Sequence, residues 1–490
     1  MYDNRHQWAR KIGFGFGPEA DLPSNLEVWN HTQLHNKFSV IGVSNRGAGP
    51  IPWPSEYNYS LEDRLKKADI YTHEIKRIEK SKTIKKEDKK RLIKNVRDET
   101  DVSKLDIYRF WNSAIYGEDM FQQRLTHFWT NHFTVGGSGR RNFVLGDFIY
   151  RVIHGNLNSS FDQLLYEVTT HIGMLDYLDN ADSVGEKSKA FYAAKTRGKT
   201  VGLNDNLGRE LLELHTVSLA RGYTEKDIRG AAKVLAGWGV NADNVIRKYQ
   251  KERKTKPGWP VSLTDFIAEP YIRDRAEPGY KTVLGQKFSS GAHALRNLTD
   301  MLASDDHTAR YLSKKLALHF VGEGATDEEI QIIYGAWRKS KGDLNKVHKA
   351  TLEVIKNTRS KKFLWPTTWM FQAIRISGAD VMPGFNMKFT KKSELSNEPR
   401  EILKELGNSF WTQRQPDGYS EIKENWISTE HLDRRIKMAS KIFTAKPKRS
   451  GEEIAEILDF SDRSKRSIKM ASDKRSKFII ALCSADFMEV

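Results

Sequence analysis

Apolar residues return every three to four positions along most of this chain, and that period constrains its fold more than any other feature. A helix facing a core needs apolar side chains at that spacing. Strand-like alternation is confined to short pieces such as KFSVIGVS at Lys37–Ser44. Helix starts are marked as well. In GATDEEIQIIYGAW, Thr326 stands three residues before Glu329, where a hydroxyl and a carboxylate each satisfy a free amide of the first turn. GYTEKDIRGAAKVLAGW opens in the same way with Thr224 and Asp227, and VSKLDIYRFW with Ser103 and Asp106. The expected fold is mainly α: a large multi-helix, bundle-like body with long irregular connectors and at most short β-hairpins.

Two stretches rich in helix breakers interrupt the period. One runs from about Asp243 to Lys287 and carries Pro257, Pro260, Pro270 and Pro278; the other, about Gly378 to Pro399, carries Pro383 and Gly384. The organisation expected is an N-terminal helical region over 1–242, a connector over 243–287 and a C-terminal helical region over 288–490, the two regions forming one continuous body. No repeat recurs at solenoid spacing.

Composition narrows the classes of function. The chain has 80 Lys and Arg against 63 Asp and Glu, a formal charge of +17, which suits anionic partners. The excess is concentrated in Lys76–Lys94 and Arg434–Lys477. The first of these has no aromatic residue on which a base could stack, which favours solvated helix faces over a nucleic-acid groove. Binding of an anionic polymer, nucleic acid or acidic polysaccharide, is one reading of these segments. Cys483 is the only cysteine, so neither an intrachain disulfide nor a cysteine-based zinc site can form. No apolar run approaches the roughly 18 residues of a bilayer span, and no integral membrane segment is expected. The start MYDNRHQWARKIGFGFGPE has no apolar signal core. The expected location is cytoplasmic if Met1 is the native start, and periplasmic or exported if a leader has been removed.

Polar residues beside the apolar stripes are the candidates for chemistry. In LNDNLGRELLELHTVS, Leu203–Ser218, the leucines at 207, 211 and 214 share a stripe, with Glu210 and Glu213 on the face beside it and His215 on its other flank. Desolvation and mutual repulsion there can raise a carboxyl pKa or recruit a cation. The plainer reading is that Arg209, four residues before Glu213, forms a surface pair with it. In FQQRLTHFWTNHF, Phe121–Phe133, His132 falls inside the apolar face, while Arg124, His127 and Asn131 take the wetter side. In DHTARYLSKKLALHFVGE, Lys315 and His319 lie within the arc of Tyr311, Leu312, Leu316 and Leu318. Lys315 is expected to lay its methylenes along the core and surface its ammonium, or to meet Glu210 or Glu213 inside the fold. GGSGRRN, Gly136–Asn142, offers the amides of Gly136 and Gly137 and the charges of Arg140 and Arg141 to an anion, or simply turns the chain. The phosphate-loop, nucleophile-elbow and H-E-x-x-H signatures are absent.

These residues support two further readings. In a binding or scaffold protein, Arg209, Glu210 and Glu213 hold helices in register, and Asn204, Asn206, Arg209, Asn131, Lys315 and His319 form a binding or structural polar cluster. Alternatively, Glu210 and Glu213 with His132 or His215 hold a divalent metal that activates water for hydrolysis, with Glu210, Glu213 and His132 as the catalytic candidates.

Several segments together resemble the bacterial family known as domain of unknown function 1800. They are FWTNHFTV, MLDYLDN, NDNLGRELLELHT, GYTEKDIRGAAKVLAGW, KTVLG, HTARYLSKKLALHFV and LGNSFWTQRQPDGY, in the family's order, from about Ala9 to Phe487. The resemblance implies a mainly helical bacterial protein of unassigned biochemistry, often encoded beside a sulfatase-like partner. Asn204, Arg209, Glu210 and Glu213 fall on the family motif N-E-N-x-x-R-E-L-L-E-L, with Asp205 in place of the glutamate. Before KTVLG the family often carries H-D-x-G-x-K, where this chain has AEPGYK, with Ala276 and Glu277 at the first two positions. That departure puts in doubt any metal site that needs the histidine. The leading expectation is a binding, scaffold or accessory protein for a sulfatase-like partner.

Overall fold

Capping residues set where the helices begin. The computed structural model describes residues 4–35, 41–43, 50–239, 270–381 and 399–490, and the architecture is mainly α. The first part carries α1 (Arg5–Ile12), α2 (Leu26–His35), α3 (Leu61–Lys80), α4 (Lys86–Thr100), α5 (Val102–Tyr116) and α6 (Met120–His132). It continues with α7 (Arg141–Asp147), α8 (Phe161–Thr170), α9 (Ile172–Tyr177), α10 (Lys189–Thr196), α11 (Asn206–Glu213) and α12 (Glu225–Leu235). The second part carries α13 (His293–Ser304), α14 (Asp306–Phe320), α15 (Asp327–Ser340), α16 (Leu344–Asn357), α17 (Pro366–Ser377) and α18 (Pro399–Glu405). It ends with α19 (Thr429–Thr444), α20 (Gly451–Ile457), α21 (Asp462–Met470), α22 (Lys474–Cys483) and α23 (Ala485–Met488).

Thr326 and Glu329 close the expected box at α15: the Thr326 amide donates to Glu329 Oε2 at 2.9 Å and the Glu329 amide to Thr326 Oγ1 at 3.2 Å. Thr224 and Asp227 do the same for α12. α5 departs from the expectation. Asp101, not Ser103, caps it, accepting the Ser103 amide at 3.1 Å. Asp106 turns inward instead, where Arg64 donates to both of its oxygens at 2.7 and 2.9 Å. A buried guanidinium without a carboxylate would be costly, and that need outweighs a second bond at a helix start.

β1 (Ile41–Val43) and β2 (Pro50–Pro52) pair antiparallel; the rest of the Lys37–Ser44 stretch lies outside the described residues. β3 (Lys281–Val283) and β4 (Gln286–Phe288) form a second hairpin, turned by Leu284 and Gly285 at φ 48° and 80°. Positive φ at both central residues gives a turn whose twist matches that of the strands. The hairpin closes the described part of the 243–287 connector and packs on α12. Asp227 Oδ1 accepts the Leu284 amide at 2.7 Å, and a Cβ at Gly230 would stand 2.0 Å from Thr282 O, so glycine permits this approach. Residues 243–269 of that connector, and Pro383 and Gly384 of the other, lie outside the described residues.

The main apolar cluster draws on residues from Trp8 to Val490. Its ends are joined by Arg10, which is buried and donates to Gln372 Oε1 at 2.9 Å and to Phe487 O at 2.5 Å. α6 runs through this core, with α1, α2 and α5 packed on it, and every residue from Met120 to His132 is buried. The wetter side expected for Arg124, His127 and Asn131 does not exist. His127 instead stacks on Phe110 with ring centroids 4.4 Å apart. One helix's periodicity cannot reveal a second layer that covers its polar face. The basic stretch from Lys76 to Lys94 lies on α3 and α4, which pack as a pair, and some of its charges are paired locally, Arg77 with Glu74 and Arg91 with Asp88. Among the described residues no helix is long and apolar enough to cross a membrane.

Candidate functional site

α11 follows the expected leucine stripe in part. Leu207 and Leu211 are fully buried, but Leu212 joins them in place of Leu214, which lies half-buried at the helix end, and Glu210 and Glu213 lie half-buried beside them. The helix ends sooner than the apolar period suggests. The amides of Leu214 and His215 both donate to Glu210 O, at 3.0 and 2.9 Å, and Thr216 Oγ1 donates to Leu211 O at 2.6 Å. The chain then turns, with Ser218 at φ 58°, so that His215 enters the core instead of flanking a longer helix. Asn204 Oδ1 accepts the Asn206 amide at 2.9 Å and so helps start α11. Arg209 does not pair with Glu213 as their spacing suggests. Its guanidinium meets both oxygens of Glu225 on α12 at 3.0 Å, and Glu213 accepts the Tyr223 hydroxyl at 2.5 Å.

α14 brings Lys315 to His132. The ammonium stands 3.0 Å from His132 Nδ1 and 5.4 Å from the centroid of the Tyr311 ring. His132 Nε2 lies 3.2 Å from the carbonyl of His215. A carbonyl can only accept, so Nε2 carries the proton and Nδ1 accepts from the ammonium. Burial, with Lys315 and His215 adding to it, holds the His132 pKa well below the ordinary histidine value. Burial also pushes the Lys315 ammonium down to about 8, partly opposed by Glu421 and Asp417. Glu210 moves the other way: burial, and repulsion from Glu213 and Asp417, raise it against the pull of Arg209. Burial and the Glu213 carboxylate push the Tyr311 hydroxyl up to about 12, which ties α11 electrostatically to α14. Lys315 therefore finds neither of its expected partners, Glu210 or Glu213, as an ion pair. The Glu210 side chain makes no hydrogen bond among the described residues.

The fourth wall is the irregular run that follows α18. Asn131 Nδ2 donates to Tyr419 O at 2.9 Å and Asn131 Oδ1 accepts the Tyr419 amide at 2.7 Å, which clamps this run onto α6. His319 Nδ1 donates to Glu421 Oε1 at 2.7 Å, and Lys362 Nζ donates to Glu421 Oε2 and Glu421 O, each at 2.8 Å. Burial alone would raise the Glu421 pKa, but Lys362 and His319 outweigh it and hold the carboxyl down to about 2. Sequence reasoning missed Glu421, Lys362 and Asp417. None lies on a periodic apolar face; Asp417 falls inside the LGNSFWTQRQPDGY segment of the family resemblance and Glu421 just past it, while Lys362 carried no signal. FWTNHFTV, NDNLGRELLELHT, HTARYLSKKLALHFV and LGNSFWTQRQPDGY, distant in sequence, thus meet around Lys315.

Other candidates are used locally. Gly137 donates its amide to Trp411 O at 3.1 Å, and a Cβ at Gly136 would stand 1.9 Å from Gln413 O, so these glycines admit a neighbouring backbone. Arg141 donates to Gly136 O at 2.9 Å and pairs with Asp176 at 2.8 Å; Arg140 lies beside it in the turn. Glu277 is buried, and its carboxylate accepts the Lys187 amide at 2.9 Å. Ala276 packs against Gly237. Among the described residues no group of three or more His, Cys, Asp or Glu is placed to hold a metal ion. Glu210, Glu213, His132 and His215 do not form such a donor set. Both His132 nitrogens are engaged, whereas the fully buried His215 ring has neither nitrogen hydrogen-bonded, and burial pushes it down to about 3.

Two cavities lie apart from this cluster. One, of about 890 Å³, is bounded by α18, α19 and α22. The other, of about 810 Å³, is lined by residues including Arg64, Asp147, Tyr150 and His171. Neither is lined by Lys315, His132 or Glu210.

No curated protein and no solved structure matches the chain. Residues 7–486, nearly the whole chain, match the family described as protein of unknown function (DUF1800), and the protein belongs to that family.

Proposed function

We propose that this protein is a helical binding protein of the accessory kind, with Lys315 as its working residue, His132 and Tyr311 beside it, and Glu210 linked to it through Asp417. One observation carries the reading: four separate segments converge on a half-buried ammonium that is held by a neutral imidazole and not by a carboxylate. A lysine already paired with an acid has little left to offer. One held by a neutral acceptor keeps its charge for an incoming anionic oxygen, and charge-assisted bonds of that kind are about twice as strong as neutral ones. Arg209, Glu213, Asn131 and His319 brace the surrounding elements, which suits a preorganised binding centre. The ligand proposed is a carboxylate or oxyanion, carried by a small molecule or by the sulfatase-like partner implied by the family resemblance.

Thermal melting of wild type and Lys315→Met in acetate, succinate, phosphate and sulfate tests this. The expected result is saturable stabilisation of the wild type by at least one anion, weakened about tenfold or more in the variant. Equal responses of the two proteins, or none, overturn it. Stoichiometric metal in purified wild type that is lost in Glu210→Gln would replace it with the metal-assisted hydrolase built on Glu210, Glu213 and His132 or His215.

A further inference from the structure

The basic segment from Arg434 to Lys477 contributes two walls of the cavity bounded by α18, α19 and α22. Its volume is about 890 Å³. Its apolar lining is Ile436, 46% exposed, Ile479, half-buried, and Met438, buried. Lys404, Arg434, Lys437, Lys441 and Arg475 line it as well, against the carboxylates of Glu401 and Glu405. Three of the cations are answered within the fold, Arg434 by Glu430, Lys437 by Asp433 and Lys441 by Glu405. Among the described residues Lys404 has no carboxylate within ion-pair distance, and Arg475 donates to the Ser440 hydroxyl, from Nε at 3.1 Å and from Nη2, with no carboxylate beside it. An exposed isoleucine in a concave trough with unanswered cations on its walls calls for an occupant with one apolar face and acidic flanks.

We infer that this groove docks an acidic amphipathic helix of a partner protein. The stretch of α19 that lines the trough, Arg434 to Lys441, is about 12 Å long at 1.5 Å per residue, so the trough faces about two turns of such a helix. Apolar residues at i, i+4 and i+7 of that helix lie on Ile436 and Ile479, and its flanking carboxylates meet Lys404 and Arg475. Two features disfavour a polyanion here. The lining is partly apolar, which a polyphosphate or sulfated sugar cannot use, and no aromatic among the described residues lines the groove for base stacking. The groove shares no residue with the Lys315 centre, so the two proposals stand or fall separately.

The test is fluorescence anisotropy with a labelled 16-residue peptide carrying leucine at i, i+4, i+7 and i+11 and glutamate on both flanks. A scrambled peptide of the same composition and heparin serve as comparison probes. Wild type is expected to bind the amphipathic peptide saturably, with a rise in peptide helicity by circular dichroism. The scrambled peptide, the Ile436→Gln variant and the Lys404→Glu, Arg475→Glu double variant should each weaken binding about tenfold or more, with unchanged melting of both variants. Equal binding of the two peptides, or full binding by Ile436→Gln, overturns the proposal in favour of a plain anionic surface. So does heparin binding that ignores Ile436, or the absence of saturable peptide binding.

Discussion

Lys315 Nζ and His132 Nδ1 stand 3.0 Å apart across 183 positions of sequence, and the opposite ring nitrogen is tied to the carbonyl of His215. A single tautomer satisfies both contacts. The cation is thus oriented by a group that carries no charge of its own.

That arrangement predicts a pH dependence. The Lys315 pKa falls from 10.5 to about 8 on folding. Between those values the unfolded chain holds a proton that the folded one has released, so this residue makes stability rise with pH across that window. In Lys315→Met the contribution vanishes. The stability of wild type minus that of the variant, from urea unfolding, should therefore increase steadily between pH 8 and pH 10.5. A flat difference would show that the ammonium is not desolvated.

Glu421 behaves in the opposite sense. Its carboxyl is held at about 2 in the fold against an ordinary 4.5, so its contribution is fully present above 4.5 and is lost as pH falls through about 2. Glu421→Gln leaves the Lys362 ammonium buried without its counter-charge, which costs about 3–5 kcal/mol. Chemical denaturation at neutral pH measures that loss. The variant should also show a shallower acid-induced decline than wild type between pH 4.5 and 2; an identical decline would contradict the assignment.

The paired acids of α11 should separate in a stability assay. Glu213 accepts the Tyr223 hydroxyl, and Glu213→Ala is expected to cost about 1 kcal/mol. Glu210 has no such bond and is repelled by its neighbour, so Glu210→Ala should stay within about 0.5 kcal/mol of wild type or gain slightly. Equal losses in the two variants would make Glu210 a brace and remove it from the proposed site.

Gly146 explains itself by what stands beside it. A Cβ there would fall 2.0 Å from the Asp106 carboxyl carbon, the group that neutralises buried Arg64. Gly146→Ala must displace that carboxylate and is expected to destabilise the fold by about 3 kcal/mol or more. Urea unfolding checks it, and a neutral result would mean that α5 and α7 can part without loss.

The mainly α architecture, the boxes at Thr326 and Thr224, the burial of Leu207 and Leu211 on α11 and the placing of His132 on an apolar face were all legible in sequence. Each depends on residues within about four positions of one another, and helix geometry converts that spacing directly into a shared face or a satisfied amide. Partners across the fold were not legible. Arg209 turned to Glu225 and not Glu213, Asp106 to Arg64 and not to a helix start, and Lys315 to His132 and not to an acid. The polar side of α6 was covered by other elements, and Glu421 acquired its role from His319 and Lys362. The reason is physical: local order follows from steric and hydrogen-bonding preferences carried by neighbouring residues. Which charge meets which is decided only when packing of distant helices excludes water and leaves each buried group the partners within its reach.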